Sequence, residues 1–340
     1  MGMIPIQVLQ CFFDAMDTQD PATCSPTSQR ASNHAALNES DEIEIVSVPA
    51  LSPKQRVIAD LHSVINLVGV LYGCLELLQA ESIDGLDGVK QRVKQLTDDI
   101  NSAAEDGRIF PLDPELPKTL AAEIDAAIQQ APDHAKDEML VELRSTISAV
   151  FEVFEVRVSE LNARLAEPKA WIAFSADQLS SSIQQVLDAI EKNALGRYRI
   201  VKNIAEQTPK DYQIEINISS ENGDQFLMPP VLQDVLRDII ANARKYTAPG
   251  GRISAGLYSS VNGLRVVVED NGLGIPKEEL SKVINFGYRA SNVMDRRTLG
   301  GGFGLTKALC VVKEFGGRMW IRSRLNLGTR ITIFIPNENA

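Results

Sequence analysis

Between Ser52 and Ala166 apolar residues recur at three- and four-residue intervals, the spacing that gathers them on one side of a helix. Val57, Leu61, Val64, Ile65, Val68, Leu71, Leu75 and Leu78 make the first such stripe. Ser52-Pro53 supplies its start: a serine that can cap free N–H groups, then a proline suited to the first turn. Further helices are predicted near 86–104, 116–131 and 134–166, the last carrying Leu140, Leu143, Ile147, Val150, Phe154, Val158, Leu161 and Leu165. Long helices with one apolar side need partners to cover it, so a bundle is expected. Pro111, Pro114, Pro117 and Pro132 punctuate this stretch and Pro168 closes it.

Beyond Pro168 the pattern changes. Residues 180–193 read as a helix and 212–218 alternate as a strand. A helix is predicted over 231–247, stopped by Pro249-Gly250-Gly251. Segments 253–261 and 264–269 flank Asn262-Gly263 as a hairpin. Residues 276–285 and 304–315 read as helices, and 319–324 with 329–335 as a second strand pair. This mixture predicts helices on one face of a mostly antiparallel sheet. The expected fold class is therefore α+β. A mostly disordered segment over 1–50 is followed by a helical region over 51–168 and an α/β sandwich over 169–340.

The expectation for 1–50 rests on composition. An apolar run at 4–13 gives way to Ser, Thr, Asn, Asp and Pro, with seven acids in the segment against one base, Arg30. Such a stretch buries too little apolar surface to offset chain entropy. The run at 4–13 reads as a frayed helix, with partner binding as the alternative.

Charge and cysteines narrow the function classes. A net charge of −11 argues against non-specific binding to nucleic acid or to an anionic membrane. Cys11, Cys24, Cys74 and Cys310 lie far apart without a CxxC spacing, as expected of free thiols in a reducing cytoplasm. The best membrane candidate, 61–78, contains His62, Ser63, Asn66 and Glu76, costly groups in lipid, so it reads as a buried bundle helix. No secretory signal is evident, and a cytoplasmic location is expected.

Four segments of the second half carry candidate chemistry. In the first, Asp238, Asn242 and Lys245 stand at i, i+4 and i+7 of one helix and so share a face. A carboxylate, an amide oxygen and an ammonium suit a Mg²⁺–phosphate site, although a solvated helix face looks the same. The second, Asp270-Asn271-Gly272-Leu273-Gly274, follows a strand. It offers an acceptor for a base amine beside glycines that permit close approach, or simply a capped turn. In the third, Gly300-Gly301-Gly302-Phe303-Gly304-Leu305 opens a helix, where N–H groups can meet phosphate; a flexible hinge is the plain alternative. The fourth, Asn285-Phe286-Gly287-Tyr288-Arg289-Ala290 and the polar residues after it, reads as a mobile lid with Arg289 available to a phosphate.

In this order and spacing the segments resemble the nucleotide-binding domain of the gyrase, Hsp90, histidine kinase and MutL superfamily. They match its N box (238–247), G1 box (270–274), F box (286–289) and G2 box (300–305), and Gly328-Thr329 before the last strand fits as well. The phrase Asn242-Ala-Arg-Lys-Tyr-Thr247 is similar to the histidine-kinase branch. The resemblance covers about half the chain and implies a sandwich of the Bergerat type with ATP and Mg²⁺ as cofactors. It implies that Asn242 ligates Mg²⁺, Lys245 contacts phosphates, Tyr246 flanks the nucleotide and Asp270 binds the adenine amino group. Gly272, Gly274, Gly300, Gly302 and Gly304 would shape pocket and lid, with Arg289 and Thr329 completing the nucleotide set. Asp238 stands where the family commonly has Glu, and its shorter arm leaves a catalytic or metal role open.

Of the three histidines, His34 lies in the acidic N-terminal segment and His134 at a helix start. His62 differs. Leu61-His62-Ser63-Val-Ile-Asn66-Leu and Gly73-Cys-Leu-Glu76-Leu-Leu78 resemble a kinase H box of the form L-H-D-x-x-N-x-L…G-x-x-E-L-L. His62 and Asn66 are one turn apart, so imidazole and amide are neighbours. In the family the histidine takes phosphate, and the residue at Asn66 can position water for dephosphorylation. Ser63 replaces the usual acid after the histidine, and a hydroxyl has little basicity. Slow autophosphorylation, a base from elsewhere and an unused acceptor all stay open, as does a histidine merely packed in the bundle. The second helix of the dimerisation hairpin is either 134–166 or 86–104.

The resemblance thus implies an ATP-dependent protein-histidine kinase of a two-component system. The helical region would serve dimerisation and phosphotransfer, in a homodimer passing phosphate from His62 to an Asp of a response regulator receiver domain. No transmembrane segment is expected, and input would come through 1–50, the extra helices or a separate sensor protein. The alternatives are a degenerate kinase scaffold that binds ATP and a regulator, and a serine kinase of the anti-sigma type.

Overall fold

The computed structural model describes residue 37 and residues 41–81, 83–130, 138–192, 196–221, 223–294 and 301–337. The run at 4–13, His34, His134 and Gly300 lie outside the described residues.

Among the described residues, four helices build the N-terminal half: α1 (Pro53–Ala80), α2 (Asp87–Glu105), α3 (Leu116–Gln130) and α4 (Glu138–Ala166). Ser52 caps α1 as its sequence predicts: its hydroxyl accepts from the Gln55 N–H at 3.2 Å, and the Gln55 side chain accepts from the Ser52 N–H at 2.9 Å. Leu61, Leu71, Leu75 and Leu78 of α1 meet Val93, Ile124 and Phe154 in one core. Each such side chain contributes about 1.5–3 kcal/mol by leaving water. Asn162 of α4 clamps the connection before α3, donating to the Leu112 carbonyl at 2.6 Å and accepting from its N–H at 2.9 Å. In length and composition α1 could also cross a membrane; here its apolar residues line the bundle core.

The second half is a seven-stranded sheet with helices on one face. Its strands are β1 (Glu42–Ile45), β3 (Ile200–Val201), β4 (Tyr212–Ser220), β6 (Arg252–Ser260), β7 (Gly263–Asp270), β8 (Arg318–Arg324) and β9 (Gly328–Pro336). The order is β1-β8-β9-β7-β6-β4-β3, antiparallel from β1 to β6 and parallel across β6, β4 and β3. A two-stranded ribbon, β2 (Ile172–Ser175) with β5 (Gln225–Met228), stands apart. Helices α5 (Ala176–Lys192), α6 (Val231–Tyr246) and α7 (Gly304–Glu314) cover the inner face.

Register brings Ile218, Leu257, Val266, Ile333, Met319 and Ile45 into one row across six strands. Ile45 is 4% exposed and completes that row, which is why 42–45 joins the sheet although its surroundings are acidic. Glu42 and Glu44 turn the same charge to use, pairing with Arg322 at 3.1 Å and Arg318 at 2.5 Å.

Two expectations are corrected. Residues 42–45 are strand rather than part of a disordered segment. Residues 276–285 do not form a helix: a single 3-10 turn, Lys277–Glu279, is followed by further turns. Leu280, Val283 and Ile284 anchor that stretch in the core, while Glu279 turns inward to hold the next loop.

Candidate active site

Helix α6 is the spine of the site. Its apolar side, Val235, Leu236, Ile239, Ile240 and Ala243, is buried on the sheet. The opposite side brings Asp238, Asn242 and Lys245 to a cavity of about 840 Å³, as their spacing predicts. Tyr246, Gly274, Arg289, Gly302, Gly304 and Thr329 line the same cavity.

Asp270, at the end of β7, forms the floor. Its Oδ1 accepts from the Gly272 N–H at 2.8 Å. Gly272 itself does not line the cavity; it fits because a Cβ there would lie 2.3 Å from the Tyr246 carbonyl oxygen. Burial pushes the Asp270 carboxyl up to about 6, against the pull of the Gly272 and Thr329 N–H groups. Burial likewise brings the Lys245 ammonium down to about 8, with Arg289 adding to the effect. One wall therefore holds an acceptor and another a cation, both poised near neutral pH.

The described part of the predicted lid is well anchored. Glu279 accepts from the Tyr288 hydroxyl at 3.1 Å and from the Ser291 N–H at 2.8 Å. Asn292 donates to the Gly274 carbonyl at 2.9 Å, and Arg289 donates to the Val293 carbonyl at 2.8 Å. The Phe286 ring stacks on Phe303 of the glycine-rich loop with centroids 4.3 Å apart. Where that loop enters α7, a Cβ on Gly304 would lie 2.9 Å from the Asn242 amide nitrogen, so glycine lets loop and spine meet.

The bundle supplies the remaining wall. His62, Ser63 and Asn66 of α1 border the cavity that Asp238 and Asn242 face. The half-buried His62 ring meets Phe303 edge-on, centroids 5.3 Å apart, and its Nε2 lies 3.2 Å from the Asn66 amide nitrogen. Burial holds the imidazole below its ordinary pKa, with Asp238 pulling the other way. Asp60 is occupied elsewhere, 3.6 Å from Arg164 of α4.

A buried ionic seam joins bundle and sheet domain. Asp234 of α6 pairs with Arg157 of α4, with Arg237 at 2.7 Å and with Lys307 of α7 at 3.6 Å. Arg237 reaches Glu160 of α4 at 2.6 Å, and Lys307 reaches Asp238 at 3.2 Å. Although burial works against ionising Asp234, Lys307, Arg157 and Arg237 hold its carboxyl far below the usual range. Lys307, 2% exposed, is kept charged against the same penalty by Asp238 and Asp234. Sequence patterns alone did not reveal Lys307 or the cavity-lining pair Arg197 and Tyr198, and gave Phe303 no role of its own within the glycine-rich segment. A lysine inside the apolar run of α7 was the available sign for the first.

Fold and site together define a helical bundle joined to an ATPase-type α/β sandwich. Residues 228–339 match the family described as histidine kinase-, DNA gyrase B-, and HSP90-like ATPase. The sensor histidine kinase WalK of Bacillus subtilis is 29% identical over 161 residues, 47% of this chain and 24% of that protein. The histidine protein kinase DivJ of Caulobacter vibrioides is 26% identical over 214 residues, 57% of this chain and 36% of that protein. The solved mycobacterial sensor histidine kinase MprB aligns at 22% identity and TM-score 0.36, over 49% of this chain and 97% of that one. Residues 228–339 are thus a domain of this ATPase family, and the curated proteins similar to the chain include sensor histidine kinases. The chain spans less than half the length of these curated relatives.

Proposed function

We propose that the chain is an ATP-dependent protein-histidine kinase whose phosphoacceptor is His62. The observation that carries this reading is that His62 borders the cavity faced by Asp238, Asn242, Gly302 and Gly304. Asp270 would accept the adenine amine, Tyr246 would flank the base, and Lys245 and Arg289 would meet phosphates. Thr329 and the Gly272–Gly274 turn keep Asp270 in place.

The donor set fits Mg²⁺ bound through its nucleotide. No group of three or more His, Cys, Asp or Glu side chains that could hold a metal occurs among the described residues. Mg²⁺ takes hard oxygens and keeps phosphates and waters as ligands, so the Asn242 amide oxygen would suffice as its protein contact. When bound, it would neutralise charge on the transferring phosphate. Asp238 is the weaker candidate, because Lys307 already engages its carboxylate.

Ser63 cannot take the ring proton that an acid at its place would take. Burial favours the neutral ring, whose lone pair would be the nucleophile, and the proton on the other nitrogen would be left to solvent. The helical region, 51–168, would serve dimerisation and phosphotransfer, and 169–340 would bind ATP, with β1 added to its sheet. The phosphate would pass on to an Asp of a response regulator, and the setting would be cytoplasmic. The tie between Lys307 and Asp238 favours a second reading, an ATP-binding scaffold that binds a regulator without phosphorylating it.

Incubation with γ-labelled ATP separates the two. Acid-labile label on the wild type that is absent from His62→Ala and Asn242→Ala supports the kinase. Nucleotide binding without any label supports the scaffold.

A further inference from the structure

The bundle and the ATPase domain of one chain are tied together at three places, and all three bring the same His62 to the same cavity. The first tie is covalent and short. β1 is paired along its whole length with β8, and only seven residues, 46–52, separate it from the start of α1. Extended, that linker spans about 25 Å. His62 follows nine residues into α1, roughly 14 Å along the helix. The second tie is the seam, in which three cations (Arg157, Arg237, Lys307) meet three anions (Glu160, Asp234, Asp238). Breaking a buried pair strands a charge, so this contact has a defined register. The third is aromatic: Phe303 has one side on Phe286 of the lid and an edge contact with His62.

We propose that His62 receives phosphate from the nucleotide held by its own chain, and that Phe303 is the residue that positions the imidazole for it. This rests on the kinase reading above. In the step, a ring-nitrogen lone pair attacks the γ-phosphorus. The bond from that phosphorus to the β–γ bridging oxygen breaks, and its electron pair leaves with ADP. The proton on the other ring nitrogen passes to solvent. Phe303 has no group that could exchange a proton or form a bond in this step. It sits in the glycine-rich loop that borders the nucleotide cavity, so loop position and ring orientation are set together.

The test uses two differently tagged full-length chains, His62→Ala and Asn242→Ala, co-expressed and purified over both tags. Acceptor and intact site then lie on different subunits. Transfer within a chain leaves this hybrid unlabelled while wild type labels, and a hybrid that cannot be recovered because the chains stay single supports the same conclusion. Label on the Asn242→Ala subunit overturns the proposal. Wild type without label removes the kinase reading itself, and the geometry is then read by NMR of the His62 ring. Adding Mg·ATP shifts that signal in wild type. The shift should vanish in hybrid subunits that carry Asp270→Ala beside an intact partner, and its persistence there counts against the arrangement. For Phe303, Phe303→Leu should slow labelling about tenfold at unchanged KM for ATP, and Phe303→Tyr should restore it. A raised KM with unchanged kcat would reassign Phe303 to nucleotide binding.

Discussion

Two side chains in the cavity are shifted toward neutrality by burial, Asp270 upward and Lys245 downward, and in the proposed function they meet the base and the phosphates of the nucleotide. Asp270 is an anion, hence an acceptor for a base amine, above about 6. Lys245 is a cation, hence a partner for phosphate, below about 8. Calorimetry across pH should therefore give an affinity for ADP that is highest between those values and falls on both sides. A flat profile would rule out their joint role. His62 offers a second residue-scale check. Burial lowers its pKa below 6.5, so its neutral ring contributes to stability fully above that value. The contribution fades as pH falls through the lowered value, because the folded state takes up the proton less readily than the unfolded chain. An NMR titration should place its midpoint below 6.5, and a midpoint at or above 6.5 would contradict the packing against Phe303.

Among the elements, β1 shows best what periodicity can and cannot reveal. The long helices and the paired strands β6–β7 and β8–β9 announce themselves through repeated spacing, and Asp238, Asn242 and Lys245 came to one face for that reason. Strands β1, β2, β3 and β5, at four residues or fewer, show too few repeats to register. Ile45 in particular sits in an acidic, proline-flanked stretch, and only the row of partners across the sheet accounts for its burial. Lys307, and Arg157 in its pairing with Asp234, were illegible for a related reason: those partners lie on other helices, and no local spacing encodes that. The strand's dependence on one buried side chain makes a prediction. Ile45→Asp would put a charge into the core, which the chain avoids by releasing the strand. Limited proteolysis should then cut between 46 and 52 while ADP affinity stays within about twofold of wild type. Resistance to cleavage would mean that β1 is held by its backbone and by Glu42 and Glu44 alone.

At the scale of the whole molecule, the seam decides how firmly the two halves hold together. Its charges balance, and Arg237 is 4% exposed, so salt in the solvent screens it little. Arg237→Met would leave Glu160 and Asp234 short of a partner and should cost roughly 3–5 kcal/mol, read from the denaturation midpoint. A loss under about 1 kcal/mol, the level of an exposed pair, would show that the halves are not joined there.

One more consequence follows from β1. By lying along β8 it occupies the backbone donors and acceptors of Met319 to Arg322, which would otherwise form an open margin of the sheet. A protein shortened to start at residue 51 should bare that margin and gather into higher-order species through it, visible as concentration-dependent light scattering. The few residues ahead of the bundle would then be acting as the sheet's own guard against self-association.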